Sequence, residues 1–211
     1  MKKILTTAIL CAGLVGFTAC DSFLDEDPKS SLTLDTYYKT SADIIGNVNY
    51  LYRDGAPDKM GNMTGAYRGS SLSVMNMVTG YFVNEYEGQE VDCSYARQLT
   101  RQNFTQSCCN YLTNDTWKSC YKSINVANAV IKYVDGVEMD NQAQYKAEAR
   151  FFRALNYFYL VKMFGDVPMV IEPTEDATLV EYPTRTAASE VFNTVIIPDL
   201  QFAVENLPNA T

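Results

Sequence analysis

The chain predicts an all-α protein, on two observations. Apolar residues recur at three- and four-residue steps through three long stretches, residues 114–135, 141–164 and 186–207, which gathers them on one helical face each. The first two stretches end at glycines, Gly136 and Gly165, residues that terminate helices readily.

Taken in chain order, the first element is a leader. Lys2 and Lys3 precede an apolar run from Ile4 to Phe17. That run of about 14 residues suits a signal-peptide core and falls short of the roughly 20 a membrane-spanning helix needs. Thr18 and Ala19 place small residues before Cys20, and Asp21, Asp25, Glu26 and Asp27 follow. This order predicts a bacterial lipoprotein signal over 1–19, cleaved so that Cys20 becomes an acylated N-terminus. Phe17 stands where the usual box has leucine. An ordinary secretory signal with a cysteine near its end is the alternative, and Cys11 is a poor rival because Leu10 is too bulky for the cleavage position. Each buried acyl methylene contributes about 0.8 kcal/mol, and stable anchoring takes more than one chain, which di- or triacylation supplies. Residues 20–31, acidic and containing Pro28, read as a tether.

A domain is expected over 32–211. A short helix starts at Thr33, capped by Asp35 or Ser41, with Ile44, Ile45, Val48 and Leu51 on its apolar face. Gly55, Pro57, Gly61, Gly65 and Gly69 then punctuate a loop. Residues 70–83 are apolar enough to be buried, with helix and strand inseparable. From Asn84 to Asn114 the chain reads as irregular, and a loop of that length is usually functional or cross-braced. The helix over 114–135 carries Trp117, Tyr121, Ile124, Ala127, Val130, Ile131 and Val134. Asn114 or Asp115 is expected to cap it and Gly136 to end it in a left-handed conformation. In the helix over 141–164, Ala147, Phe151, Ala154, Phe158 and Val161 form one stripe and Phe152, Leu155, Tyr159 and Met163 another. Two adjoining stripes place this helix centrally. Asp166-Val167-Pro168 leads into a short extended piece, 169–171. The third helix starts near Thr186 and carries Val191, Val195, Ile196, Leu200, Ala203 and Leu207, with a kink expected near Thr194 or Val195 ahead of Pro198. The step from Ala154 to Phe158 fits tetratricopeptide-like helical pairs. The expected architecture is such pairs beside a long irregular loop region.

Net charge is −8, with 17 basic and 25 acidic residues. Since Lys2 and Lys3 are the leader's charged residues, the rest is more acidic still, which disfavours nucleic acid. Histidine is absent, which removes the commonest general base and zinc ligand. Glu85 with Glu87, and Glu90 with Asp92, are sequence neighbours, whereas glycoside hydrolysis needs carboxyls placed across a cleft. No enzyme activity, metal or cofactor is expected. Arg150 and Arg153 share a helix face and are expected to pair with Asp166 or Asp199, with Asp166 capping or bracing its turn.

Beyond Cys11 and Cys20 remain Cys93, Cys108, Cys109 and Cys120. An even count in an exported chain permits two disulfides, with Cys108 or Cys109 joined to Cys93 or Cys120. Four free thiols are the alternative. Tyrosine is abundant, 15 residues against a single Trp117. Tyr67, Tyr81, Tyr86 and Tyr95, with Phe82, lie among amides and charges between Asp54 and Asn110. That mixture suits sugar binding, ring faces on C–H surfaces and amides on hydroxyls. It equally suits a partner protein.

The stretch from Lys146 to Val170, KAEARFFRALNYFYLVKMFGDVPMV, resembles the signature of the SusD/RagB family of nutrient-binding outer-membrane lipoproteins. Cys20, Phe23, Leu24, Asp25 and Pro28 resemble the family's mature start. Trp117, Tyr121, Ile124 and Asn128 resemble its first repeat helix, and Tyr182, Pro183, Arg185, Val191, Ile197, Asp199, Leu200, Ala203, Leu207 and Pro208 its next. The resemblance implies a cell-surface, lipid-anchored outer-membrane protein that captures glycans, or in some members peptides. It implies a TonB-dependent barrel transporter as the partner that receives them. Members run to about 450–600 residues, so the chain is expected to be an N-terminal portion, truncated before the C-terminal half of the family fold and leaving an apolar face of its last helix uncovered. A helical scaffold that binds a partner protein and no sugar is the competing reading.

Overall fold

The computed structural model describes residues 33–55, 79–81, 83, 97, 98, 100–103, 106–174 and 183–208; for 54, 55 and 106–115 it describes the backbone alone. Contacts divide the chain into Met1–Thr33 and Leu34–Thr211. Apart from Thr33 the first unit lies outside the described residues, as do most of residues 70–83.

The second unit opens with α1 (Leu34–Tyr37) and α2 (Ser41–Tyr50). The cap of α2 is Thr40, not Asp35 or Ser41, because Thr40 is the last residue with extended backbone (φ −122°, ψ 159°). The Asp43 carboxylate accepts from the Thr40 hydroxyl at 2.7 Å and from its N–H at 2.8 Å, a capping-box arrangement. Ile44, Val48 and Leu51 are buried as expected. A π turn, Leu51–Gly55, ends the segment.

Helix α3 runs Gln106–Tyr133. It starts eight residues earlier than the sequence reading placed it. No glycine or proline interrupts 106–133, so Asn114 and Asp115, good caps in isolation, are carried inside the helix. Its far end differs too. Val134–Gly136 tightens into a 3₁₀ turn, and Gly136 is not among the positive-φ residues. The left-handed residue is Asn141 (φ 59°), just before α4. The Gln142 side-chain amide donates to the carbonyls of Val134 and Val137, tying the start of α4 back to the 3₁₀ turn.

Helix α4 (Gln142–Phe164) ends at Gly165, with φ 69° and ψ −123°. Ring pairs Trp117–Phe164 (5.1 Å) and Tyr121–Tyr157 (6.4 Å) show that α3 and α4 run antiparallel. Ala147, Ala154 and Val161 of the expected stripes are buried, but Phe151 and Phe158 are 37% and 40% exposed. Tyr157, Leu160 and Asn156 take the interior, with the charged Glu148 and Arg153. The apolar pattern counts Phe and misses residues that bury a polar tip by hydrogen bonding it.

Strands β1 (Val167–Pro168) and β2 (Arg185–Thr186) pair antiparallel, Val167 with Thr186 and Pro168 with Arg185. Then α5 (Ala188–Val191) passes through a π turn (Phe192–Ile196) into α6 (Ile197–Asn206). The expected irregularity ahead of Pro198 is this π turn. Pro198 has no N–H to offer the Thr194 carbonyl, and the widened turn absorbs the defect. Phe158 meets Phe192 (6.2 Å) and Arg153 meets Asp199, so this arm runs back along α4.

Among the described residues two apolar clusters result. Tyr38, Ile44, Val48 and Leu51 close on Ala127, Val130, Val134 and Phe152. Cys120, Ile124, Ala154, Tyr157 and Leu160 close on Val167, Val191, Val195 and Ile196. Helices α3 and α4 serve both. Ile197, Leu200 and Val204 are 44%, 39% and 81% exposed, the uncovered face expected of the last helix.

Candidate functional site

Tyr121, Asn125 and Asn128 fall on one stripe of α3 at four- and three-residue steps, and Arg153 and Tyr157 stand one turn apart on α4. All five reach the extended chain from Pro168 to Thr174. The Tyr121 hydroxyl donates to the Pro168 carbonyl at 2.7 Å. The Tyr157 hydroxyl donates to the Val170 carbonyl (2.8 Å) and accepts from the Val170 N–H (2.7 Å). The Asn128 amide donates to the carbonyls of Val170 (3.0 Å) and Glu172 (3.2 Å). The Asn125 carbonyl accepts from the Thr174 N–H at 2.7 Å.

Arg153 sits at the centre. It grips the Asp199 carboxylate with two nitrogens at 2.7 and 2.9 Å and donates to the Asn128 side-chain carbonyl at 2.9 Å. Both charged groups are nearly buried, which is tolerable because they are paired and hydrogen-bonded. The Arg150 Nε lies 3.8 Å from Asp199, and its guanidinium rests 4.2 Å from the Phe202 ring centre. The expected arginine pairs therefore go to Asp199. Asp166 braces its turn as expected: its carboxylate accepts from the Ala188 N–H at 2.9 Å and its carbonyl from Arg185 at 3.0 Å. Burial pushes the Tyr157 phenol up to about 12, against the lowering effects of the Val170 bond and of Arg153. Burial raises Tyr121 as well, with Tyr157 adding to it. Both phenols therefore stay neutral at ordinary pH and act as hydrogen-bonding groups.

Of the tyrosines proposed for ligand contact, Tyr81 is described. It stands 89% exposed in a turn where Gly80 takes φ 79°. Tyr67, Tyr86 and Tyr95 lie outside the described residues, as do Cys20 and Cys93. Cys108 and Cys109 lie within α3, their side chains outside the description. Cys120 is a free, fully buried thiol, and burial pushes it up to about 12, which makes it inert. Sequence reading missed an exposed aromatic residue, Tyr52. Tyr52, 58% exposed, meets Phe152 edge-on at 4.7 Å, and Phe151 meets the same ring at 5.5 Å. Tyr52 follows directly on the apolar positions of α2, where spacing gives no sign of exposure. Among the described residues no group of His, Cys, Asp and Glu is placed to hold a metal, and no helix is long and apolar enough to cross a membrane.

Antiparallel helices stacked about α4, laced by neutral hydroxyls and amides, define a helical-repeat protein of the tetratricopeptide-like kind. The chain belongs to the SusD-like family, described as starch-binding and associating with the outer membrane, whose model matches residues 22–211. SusD-like protein P2 of Formosa agariphila is 29% identical over 99% of this chain and 39% of its own length. A SusD superfamily protein from Parabacteroides distasonis superposes with TM-score 0.60 at 24% identity, over 77% of this chain and 33% of that one. Surface glycan-binding protein A from Bacteroides fluxus superposes with TM-score 0.55 at 22% identity, over 79% of this chain and 33% of that one. The chain thus spans between a third and two fifths of the length of these relatives.

Proposed function

We propose that this chain is the N-terminal helical part of a cell-surface lipoprotein that captures glycans and passes them to a TonB-dependent outer-membrane transporter. In this reading residues 1–19 are a cleaved leader, Cys20 carries the acyl chains, 20–31 form the tether and 32–211 the helical domain. The protein binds and does not catalyse. The observation that carries the proposal is the family match over 22–211, with its starch-binding, outer-membrane description. The printed name of the Bacteroides fluxus neighbour, a surface glycan-binding protein, supports the ligand class. Tyr81, with its ring free for stacking, is the described residue best placed to meet a sugar, and Tyr67, Tyr86 and Tyr95 are proposed beside it. Disulfide pairing of Cys93 with Cys108 or Cys109 belongs to the same proposal.

Two measurements test it. Cys20→Ala is expected to move the protein from the membrane to the soluble fraction; unchanged retention refutes the anchor. Affinity gels with a panel of polysaccharides are expected to retard the protein, and Tyr81→Ala to weaken the retardation. Binding to none of them, with retained binding to a barrel partner, favours the protein-scaffold reading.

A further inference from the structure

The extended segment 168–174 is held in an unusual way. Every described hydrogen bond that fixes it ends on its main chain: the carbonyls of Pro168, Val170 and Glu172, and the N–H groups of Val170 and Thr174. Arg153 adds a long contact to the Ile171 carbonyl at 3.5 Å. The donors and acceptors are side chains of two neighbouring helices, set at helical repeat distances so that they follow an extended chain. Of the segment's own side chains, Met169 packs against the second apolar cluster and Pro168 and Val170 are half-buried, while the later half is held mostly by its main chain. Ile171 is 44% exposed, Glu172 and Thr174 are exposed, and Pro173 is the one residue of the seven that is buried. Main-chain groups are common to every peptide, so a groove that pairs with them reads extended shape and tolerates sequence.

We propose that the α3–α4 groove is a recognition site for the main chain of an extended peptide, which residues 168–174 occupy in cis as an internal ligand. The proposal is independent of the glycan reading. Tyr121, Asn125, Asn128 and Tyr157 are its binding residues. Arg153 is its positioning residue, since its bond to the Asn128 side-chain carbonyl fixes which end of that amide faces the peptide. Tethering gives the internal segment an effective concentration on the order of millimolar, so the site is closed to free peptides until the segment is weakened.

The experiment uses the full chain. Val170→Pro removes the N–H that Tyr157 accepts and leaves Met169 in the extended region a following proline favours. The probes are the heptapeptide Pro-Met-Val-Ile-Glu-Pro-Thr, a version with Ile, Glu and the final Thr replaced by Ser, and a version N-methylated at Val. The folded Val170→Pro protein is expected to bind the first two within about threefold of each other and the N-methylated one at least about tenfold more weakly. The unaltered protein is expected to bind none at the same concentrations. Absence of binding to a Val170→Pro protein of native helical content, or indifference to N-methylation, overturns the proposal. A second measurement holds if that variant does not fold. Amide exchange at Val170 and Thr174 is expected to stay within about threefold when Ile171, Glu172 and Thr174 are all changed to Ser, and to rise at least about tenfold at Val170 in Tyr157→Phe. Loss of protection in the serine variant shows that side chains hold the segment, and overturns the proposal.

Discussion

Arg153 joins four parts of the fold through one guanidinium. From α4 it reaches Asp199 on α6, Asn128 on α3 and the Ile171 carbonyl. A buried charge costs several kcal/mol unless a partner compensates it. Asp199→Asn keeps the shape and removes the compensation for Arg153, and for Arg150 nearby. The expected loss is about 3–5 kcal/mol, a fall in Tm on the order of 10 °C for a chain of this size, read by thermal unfolding in circular dichroism. A fall of under 2 °C would show the pair to be dispensable. The three-residue step from Arg150 to Arg153 makes a shared helix face legible in the sequence. Which of the two is buried is not legible, because it depends on α6 folding back to bring Asp199 over that face.

At the scale of the element, caps decide where helices begin and end. The Thr40 hydroxyl, followed by the Thr40 N–H, holds the Asp43 carboxyl below its ordinary value of 3.8. A group lowered in the folded state adds stability above its unfolded value and loses that contribution as pH falls through the folded one. The start of α2 is therefore expected to loosen at acid pH, below the ordinary carboxylate range. Amide exchange at 41–44 checks this: Asp43→Asn flattens the acid-side pH dependence, and an unchanged profile in that variant contradicts it. Gly165 and Gly136 make a paired test at helix ends. An added Cβ meets nothing within 4 Å at either, so sterics with neighbours are equal and backbone conformation alone separates them. At Gly165, with φ 69° and ψ −123°, alanine is expected to cost about 1–3 kcal/mol. At Gly136, whose φ is ordinary, alanine is expected to be neutral or stabilising by up to about 1 kcal/mol. Equal effects at the two sites in urea unfolding would refute the distinction. Both glycines are legible as helix ends; the left-handed conformation expected at Gly136 is not adopted, because the chain tightens there into a 3₁₀ turn.

At the scale of the molecule, α3 and α4 line both apolar clusters. Neither cluster can open without stripping a face from the same helix pair, so Leu34–Asn206 is expected to unfold in one cooperative step, with near- and far-ultraviolet dichroism changing together. Leu160→Ala, at a fully buried position, is expected to cost about 2–5 kcal/mol and leave the transition single. Val204→Lys, on the uncovered face of α6 at 81% exposure, is expected to change stability by no more than about 0.5 kcal/mol and to lower any concentration-dependent association. Separate transitions for the two clusters would contradict the shared spine.

Helix existence, the central place of α4 and the disturbance ahead of Pro198 are properties of the sequence by itself, since apolar period, glycine and proline act within a few residues. The family is written there too, in the run from Ala147 to Pro168. The turning outward of Phe151 and Phe158 and the burial of Tyr157 and Asn128 are decided by the tertiary structure. Each depends on a partner distant in the chain: Asn128 finds the Val170 carbonyl 42 residues on, and Arg153 finds Asp199 46 residues on. A polar side chain carries no local mark of being buried, because what makes burial tolerable is a hydrogen bond that exists only after the helices have packed.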